Sequence, residues 1–252
     1  MSLSEAVLLV GVGLLAGCIN AVVGGGTFFS FPVLLALGLP PVAANATSTV
    51  ALWPASAMAA RAYLPELRRV RNVLPVRTFI ALVGGTVGAF LLLASGDALF
   101  FSLVPWLLAA ATLLFAFSKK IVRLVEKFGS RTNAALMLGL EFLFAIYGGY
   151  FGAGVGILLM AALALSGESD SQIANAQKNL FATCINGAAV AIFVAKGAVV
   201  WPVVVAVMAG AILGGYGGAR AARLIPGVWL RTTVIFVGCV LSAIYFRNVY
   251  FR

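Results

Sequence analysis

The sequence has no histidine, only three cysteines and only seven acidic residues in 252 positions. Without histidine it lacks the commonest transition-metal ligand and the side chain best suited to proton relay. Cys18, Cys184 and Cys239 lie far apart inside apolar runs, which reads as three inert core residues. Only Glu168 and Asp170 bring two carboxylates close in sequence, and neither a Ser/His/Asp nor a Cys/His set can be assembled. No ATP motif is visible. The Gly-x-Gly-x-Gly spacing of 152–156 follows no strand, so it is a poor dinucleotide fingerprint. An enzyme, a resident metal and a cofactor are therefore not expected. Charge is scarce too, at 10% of residues, where soluble domains carry about 25%.

Apolar sequence takes the place of charge, at 63% of the chain. Residues 6–60 form a run of 55 positions without Lys, Arg, Asp or Glu, and 98–117 and 197–219 are also uncharged. A helix needs about 20 apolar residues to cross hydrocarbon. These runs lack the two-residue alternation of a β-barrel. The chain is therefore predicted to be an all-α polytopic membrane protein. Its formal net charge of +10 does not point to nucleic acid, because the basic residues gather in loops and at helix edges. There they set orientation and meet anionic lipid of the bilayer. No Lys or Arg precedes the first apolar run, so the start does not read as a cleaved signal peptide.

Ten helical segments are predicted: 4–23, 27–38, 41–62, 72–95 and 98–117, then 132–150, 155–166, 172–195, 198–221 and 228–246. The domain reading is a first transmembrane repeat at 1–118, a basic cytoplasmic linker at 119–131 and a second transmembrane repeat at 132–252. Segments 27–38 and 155–166 are too short to cross and read as half-helices or re-entrant limbs. The halves repeat at an offset of 130 residues. Ala44-Asn45-Ala46 returns as Ala174-Asn175-Ala176, Gly84-Gly85 and Gly88-Ala89 as Gly214-Gly215 and Gly218-Ala219, and Gly24 and Gly26 as Gly154 and Gly156. Charge then relates the halves. The loop after segment three carries Arg61, Arg68, Arg69, Arg71 and Arg77 in the first half but only Lys196 in the second. After segment four the bias reverses, with Asp97 in the first half against Arg220, Arg223 and Arg231 in the second. Equivalent loops on opposite faces make two inverted-topology repeats of five segments each. Parity puts both termini outside, although Arg247 and Arg252 fit that placement poorly.

Glycine pairs four apart (Gly13/Gly17, Gly84/Gly88, Gly210/Gly214, Gly214/Gly218) give helices flat faces for close packing. The clusters at Gly24, Gly25 and Gly26 and at Gly154 and Gly156 each precede a short segment, where they would aim half-helix N-termini at an anion. Beyond each short segment comes a polar patch: Asn45, Thr47 and Ser48, then Asn175, Gln177 and Lys178, with Asn186 two turns further on. Polar groups at membrane depth either pair between helices or serve a wet site. Lys178 has the further alternative of snorkelling to the surface. Glu141 lies ten residues past Arg131 in an apolar run. It is a candidate for carrying a coupling proton, or for pairing with Lys178 or an arginine. Arg61 and Arg77, flanking the first basic loop, read as orientation determinants.

Several of these residues, taken in order, resemble the TauE/SafE family. In the first half they are Gly24-Gly25-Gly26, Pro32, Leu37-Gly38-Leu39-Pro40-Pro41 and Ala46-Thr47-Ser48. In the second they are Tyr147 to Gly152 with Gly154 and Gly156, Lys178, Phe193, Gly197, Trp201, Gly210, Gly214, Gly218-Ala219-Arg220 and Pro226. Ala153 and Val155 interrupt a glycine cluster that is often denser in that family. The resemblance covers nearly the whole chain. It implies a bacterial inner-membrane protein that moves small sulfur-containing anions such as sulfite or sulfonates. The expected function is a secondary transporter of such an anion by alternating access, with a proton or another ion as coupling partner. The alternative reading is an anion channel or a non-transporting receptor subunit.

Overall fold

A computed structural model of the chain describes residues 2–22, 26–126, 134–168, 170–221 and 227–251. The described residues form ten helices: α1 (Leu3–Val22), α2 (Thr27–Ala36), α3 (Pro41–Ala62), α4 (Leu64–Arg69), α5 (Leu74–Glu126), α6 (Ala134–Tyr150), α7 (Val155–Leu165), α8 (Ser171–Ala195), α9 (Trp201–Ala221) and α10 (Gly227–Tyr250). No strand occurs among them. The all-α membrane architecture expected from composition is the one observed. Three helices contain stretches long and apolar enough to cross a bilayer: Leu3–Asn20, Leu74–Ser118 and Gln172–Ala195. Large apolar side chains such as Val7, Phe79, Leu143, Val205 and Phe236 point outward, as a surface facing lipid requires.

Two details differ from the predicted segments. The segments 72–95 and 98–117 are limbs of one continuous helix, α5, broken at Gly96 (φ 67°, ψ 172°) with no loop between them. The second limb runs on to Glu126, so residues 119–126 of the expected linker are helical, while 127–131 lie outside the described residues. The loop after α3 contains the one-turn-and-a-half helix α4, whose Arg68 and Arg69 are exposed.

α2 and α7 have 10 and 11 residues. At 1.5 Å per residue each reaches about 15 Å, roughly half the hydrocarbon thickness. α3 and α8 begin at Pro41 and Ser171, 130 residues apart. The second limb of α5 begins after Gly96 and α10 begins at Gly227, also 130 residues from residue 97. Packing crosses between the halves: α1 lies chiefly on α9, and α6 chiefly on α5. Glycine makes both contacts. A Cβ at Gly13 or Gly17 would overlap the backbone of Val207 or Ala211, and Gly210 and Gly214 meet Val10 and Leu14 in the same way. On the other side Gly85 abuts Gly149, and Gly88 abuts the carbonyl of Ile146. Such backbone approach is the main attraction between helices in lipid, where apolar burial between them gains little. An aromatic core joins the short helices to the second limb of α5. Phe28 stacks edge-on to Phe115 at 5.3 Å between centroids, and Phe31 meets Phe100 at 5.9 Å and Phe151 at 5.7 Å.

Candidate substrate site

The turn between α6 and α7 is where regular helix fails. Gly152 (φ 81°) and Gly154 (φ 78°) are left-handed, a conformation that favours glycine. The Phe151 and Gly152 amides both bond to the Tyr147 carbonyl, at 2.9 and 3.3 Å, and the Tyr147 hydroxyl donates to the Ala153 carbonyl at 2.6 Å. These bonds hold the break in place. α7 then starts at Val155 with no side-chain cap. Among the described residues the N–H groups of Gly154 and Gly156 find no acceptor. Unpaired amides and a helix N-terminus together favour negative charge.

α8 supplies the side chains that face this break. Asp170 caps it, accepting from the Gln172 and Ile173 amides at 2.8 and 3.3 Å, which fixes the register of the residues that follow. Lys178 and Asn186 lie eight residues apart and share a helix face. The methylenes of Lys178 run past Gly156, with Cδ 3.5 Å from where a Cβ would sit. Asn186 Oδ1 lies 3.8 Å from the corresponding point at Gly152. Neither Lys178 nor Asn186 makes a hydrogen bond or ion pair with any described residue. The structure therefore brings five residues to one place, four of them predicted: Gly154, Gly156, Lys178 and Asn186. The fifth is Gly152.

The other predicted polar residues have protein partners. Asn45 donates to the carbonyl of Tyr150 at 3.0 Å, which closes the C-terminus of α6. Ser48 shares a 2.6 Å hydrogen bond with Ser30, whose hydroxyl also lies 3.2 Å from the Gly26 carbonyl. Thr47 accepts from the Val200 amide at 3.1 Å, and Asn175 donates to the Tyr63 hydroxyl at 2.8 Å. Gly26 precedes α2 in ordinary right-handed geometry and packs on the Ala16 carbonyl. Gly24 and Gly25 lie outside the described residues.

Gln177 and Glu141 belong to a second cluster, built around an arginine read from sequence as an orientation determinant. Arg77 is not at the surface: its side chain is 12% exposed and lies 3.3 Å from Glu141, which is 5% exposed. It also donates to Ser166 Oγ at 2.6 Å and to Gln177 Oε1 at 3.2 Å, and Gln177 in turn donates to Glu168 at 3.2 Å. Arg61, by contrast, is exposed. Arg77 sits on the fourth residue of α5, between a basic loop and an apolar helix. That position alone fits a buried residue as well as a boundary one. Of the partners open to Glu141, an arginine is the one observed. The pair borders a narrow crevice lined by Ile80, Ala81, Ala145, Leu159, Phe181 and Ile185.

A family model described as sulfite exporter TauE/SafE matches residues 9–246. The chain belongs to the TauE/SafE family. A probable membrane transporter protein of Haemophilus influenzae is 30% identical over 238 residues, which is 92% of this chain and 91% of the relative. The probable membrane transporter protein YfcA of Escherichia coli K12 is 27% identical over 241 residues, with 92% and 86% covered. The probable membrane transporter protein ORF9 of a Sinorhizobium species is 26% identical over 230 residues, with 90% and 87% covered. No solved structure gives a significant match. This member of the TauE/SafE family is thus a membrane transporter, integral to the bacterial inner membrane.

Proposed function

We propose that the protein is a secondary transporter of a small oxyanion, sulfite or an organosulfonate, working by alternating access between its two halves. The unpaired ammonium of Lys178, laid along Gly156 at the start of α7, carries this reading. A cation at membrane depth costs about 2.5–3.5 kcal/mol on insertion scales unless something pairs with it. An anion arriving at this point meets Lys178, the amides of Gly154 and Gly156 and the amide group of Asn186 in one step. None of these groups has to give up a protein partner first. The short helices and the exchange of packing partners between halves support an inverted arrangement in which one half rocks against the other.

Two measurements test the reading. A thermal-shift screen of purified protein against sulfite, sulfate, sulfonates and carboxylates should show the sulfur oxyanions raising stability by mass action, and Lys178→Ala should reduce the shift. Equal shifts for the variant and the parent protein would move the site elsewhere. For topology, Arg69→Cys and Lys196→Cys should label from opposite sides of the membrane. Labelling from one side would end the inverted-repeat reading.

A further inference from the structure

The Arg77 cluster is distinguished from the site proposed above by its bonding: among the described residues no hydrogen bond or ion pair joins Arg77, Glu141, Ser166 or the Gln177 side chain to the side chains of Lys178 or Asn186. Arg77 and Glu141 are in ion-pair range at 3.3 Å, yet Glu141 Oε1 is buried without an aligned hydrogen bond. The remaining partners of the guanidinium, Ser166 and Gln177, are neutral. Among the described residues Glu141 is the one carboxylate in ion-pair range of Arg77, with Glu168 reached only through Gln177, and Glu141 holds that place with poor hydrogen-bond geometry beside an apolar crevice. The crevice is too narrow to admit water, so an anion can reach Arg77 only by displacing the Glu141 carboxylate, and while Glu141 is ionised it meets a neutral pair and gains nothing. Once Glu141 has taken up a proton, Arg77 has no ion-pair partner in direct contact among the described residues, and an anion is attracted to it. Guanidinium suits this exchange, since its planar fork accepts a carboxylate or an oxyanion equally well.

We propose that Arg77 is a second anion-binding station, where a small oxyanion takes the place of the Glu141 carboxylate after that carboxylate is protonated. The exchange balances. Arg77⁺ and Glu141⁻, with one proton and one monoanion added, become Arg77⁺ with its anion and neutral Glu141. The cluster therefore takes in one proton with each anion, and its net charge does not change. The other titratable groups on or near the elements packed around Glu141 are Glu168, Lys178, Cys184 and Tyr147. None of them is in hydrogen-bond or ion-pair contact with Glu141, and the Tyr147 hydroxyl is committed to the Ala153 carbonyl. This inference rests on the anion-transport reading and adds the coupling ion to it.

The test is a proton count. Purified protein in weakly buffered detergent, with a pH indicator, is titrated with methanesulfonate and with sulfate, anions whose own charge is constant over the range used. In the wild type, binding should draw up to about one proton per anion, with affinity falling by about tenfold per pH unit where Glu141 is ionised. Glu141→Gln should bind with less than about a twofold change between pH ~6 and ~8 and take up no proton. Residual binding to Lys178→Ala should still draw a proton. Wild-type binding without proton uptake at any pH overturns the proposal, as does undiminished uptake by Glu141→Gln. If Glu141→Gln fails to fold, the wild-type count decides alone. No binding of any anion by the wild type overturns the anion-transport reading along with this one.

Discussion

Positions 48 and 178 are 130 residues apart, as are 45 and 175, 26 and 156, and 56 and 186, so each pair would be equivalent in the proposed repeat. In the first half these positions bond to or pack on the protein itself, with Asn45 Oδ1 the one buried atom among them left without a partner. Ser48 is bonded to Ser30, Asn45 to Tyr150, and Gly26 lies on the Ala16 carbonyl. In the second half Asn175 is bonded to Tyr63, but the places of Ser48 and Ser56 hold Lys178 and Asn186, whose side chains have no partner among the described residues, with the Gly156 amide unpaired beside them. A short polar side chain such as Ser48 can satisfy itself within its own half, because its hydroxyl reaches the next helix. A lysine at the same place outreaches any acceptor there. Similar positions thus differ by side-chain length: Ser48 braces the fold, while Lys178 is left with the unpartnered ammonium on which the proposed site rests.

The largest expected effect comes from Arg77 and Glu141, the one side-chain ion pair among the described residues. Arg77→Met leaves Glu141 buried without a counter-charge and should destabilise the protein by about 3–5 kcal/mol. Arg77→Met with Glu141→Leu should recover most of that loss, measured by denaturation in detergent. Next is Lys178→Ala, which should lower transport at least about tenfold, or ~1.4 kcal/mol of transition-state binding, with thermal stability nearly unchanged. Ser48→Ala sharpens the contrast. It should cost about 1 kcal/mol of stability by leaving Ser30 with one partner fewer, and transport should stay within about twofold of the parent. If Ser48→Ala abolished transport in folded protein, the proposed division between the halves would be wrong. The smallest effect is Gly156→Ala. Its Cβ would touch Lys178 Cδ at an ordinary 3.5 Å, so stability should hold or rise by up to about 1 kcal/mol while the apparent KM rises a few-fold.

What could be read from the sequence follows the range of the forces involved. Helix existence, the short lengths of α2 and α7 and the 130-residue offset depend on local composition, and all were legible. Lys178 was legible too, because an intramembrane cation is conspicuous whatever surrounds it. The pairing of Arg77 with Glu141 was not, since the two are 64 residues apart and meet only once α5, α6 and α8 have packed. The role of Asn45 was hidden for a similar reason: its partner is a backbone carbonyl 105 residues away, free only because α6 ends at Tyr150. A list of polar residues at membrane depth cannot separate groups that are satisfied from groups that are waiting. That distinction arises where helices end and meet.

The break at Gly96 has a mechanical consequence. A loop between two helices has slack, and slack absorbs displacement. At Gly96 there is none, because one residue at φ 67° turns the chain directly from one limb into the other. The first limb holds Arg77, and the second passes Gly154 at Ala111 and Phe115. The two proposed stations thus lie along the arms of a single bent helix, like a bell-crank with its pivot at Gly96. Asp97 anchors that pivot by accepting from the Val42 amide at 2.9 Å. On the proposed mechanism, a tilt of one arm when Arg77 exchanges partners would pass to the other arm, beside the start of α7, through one residue and not through a loop.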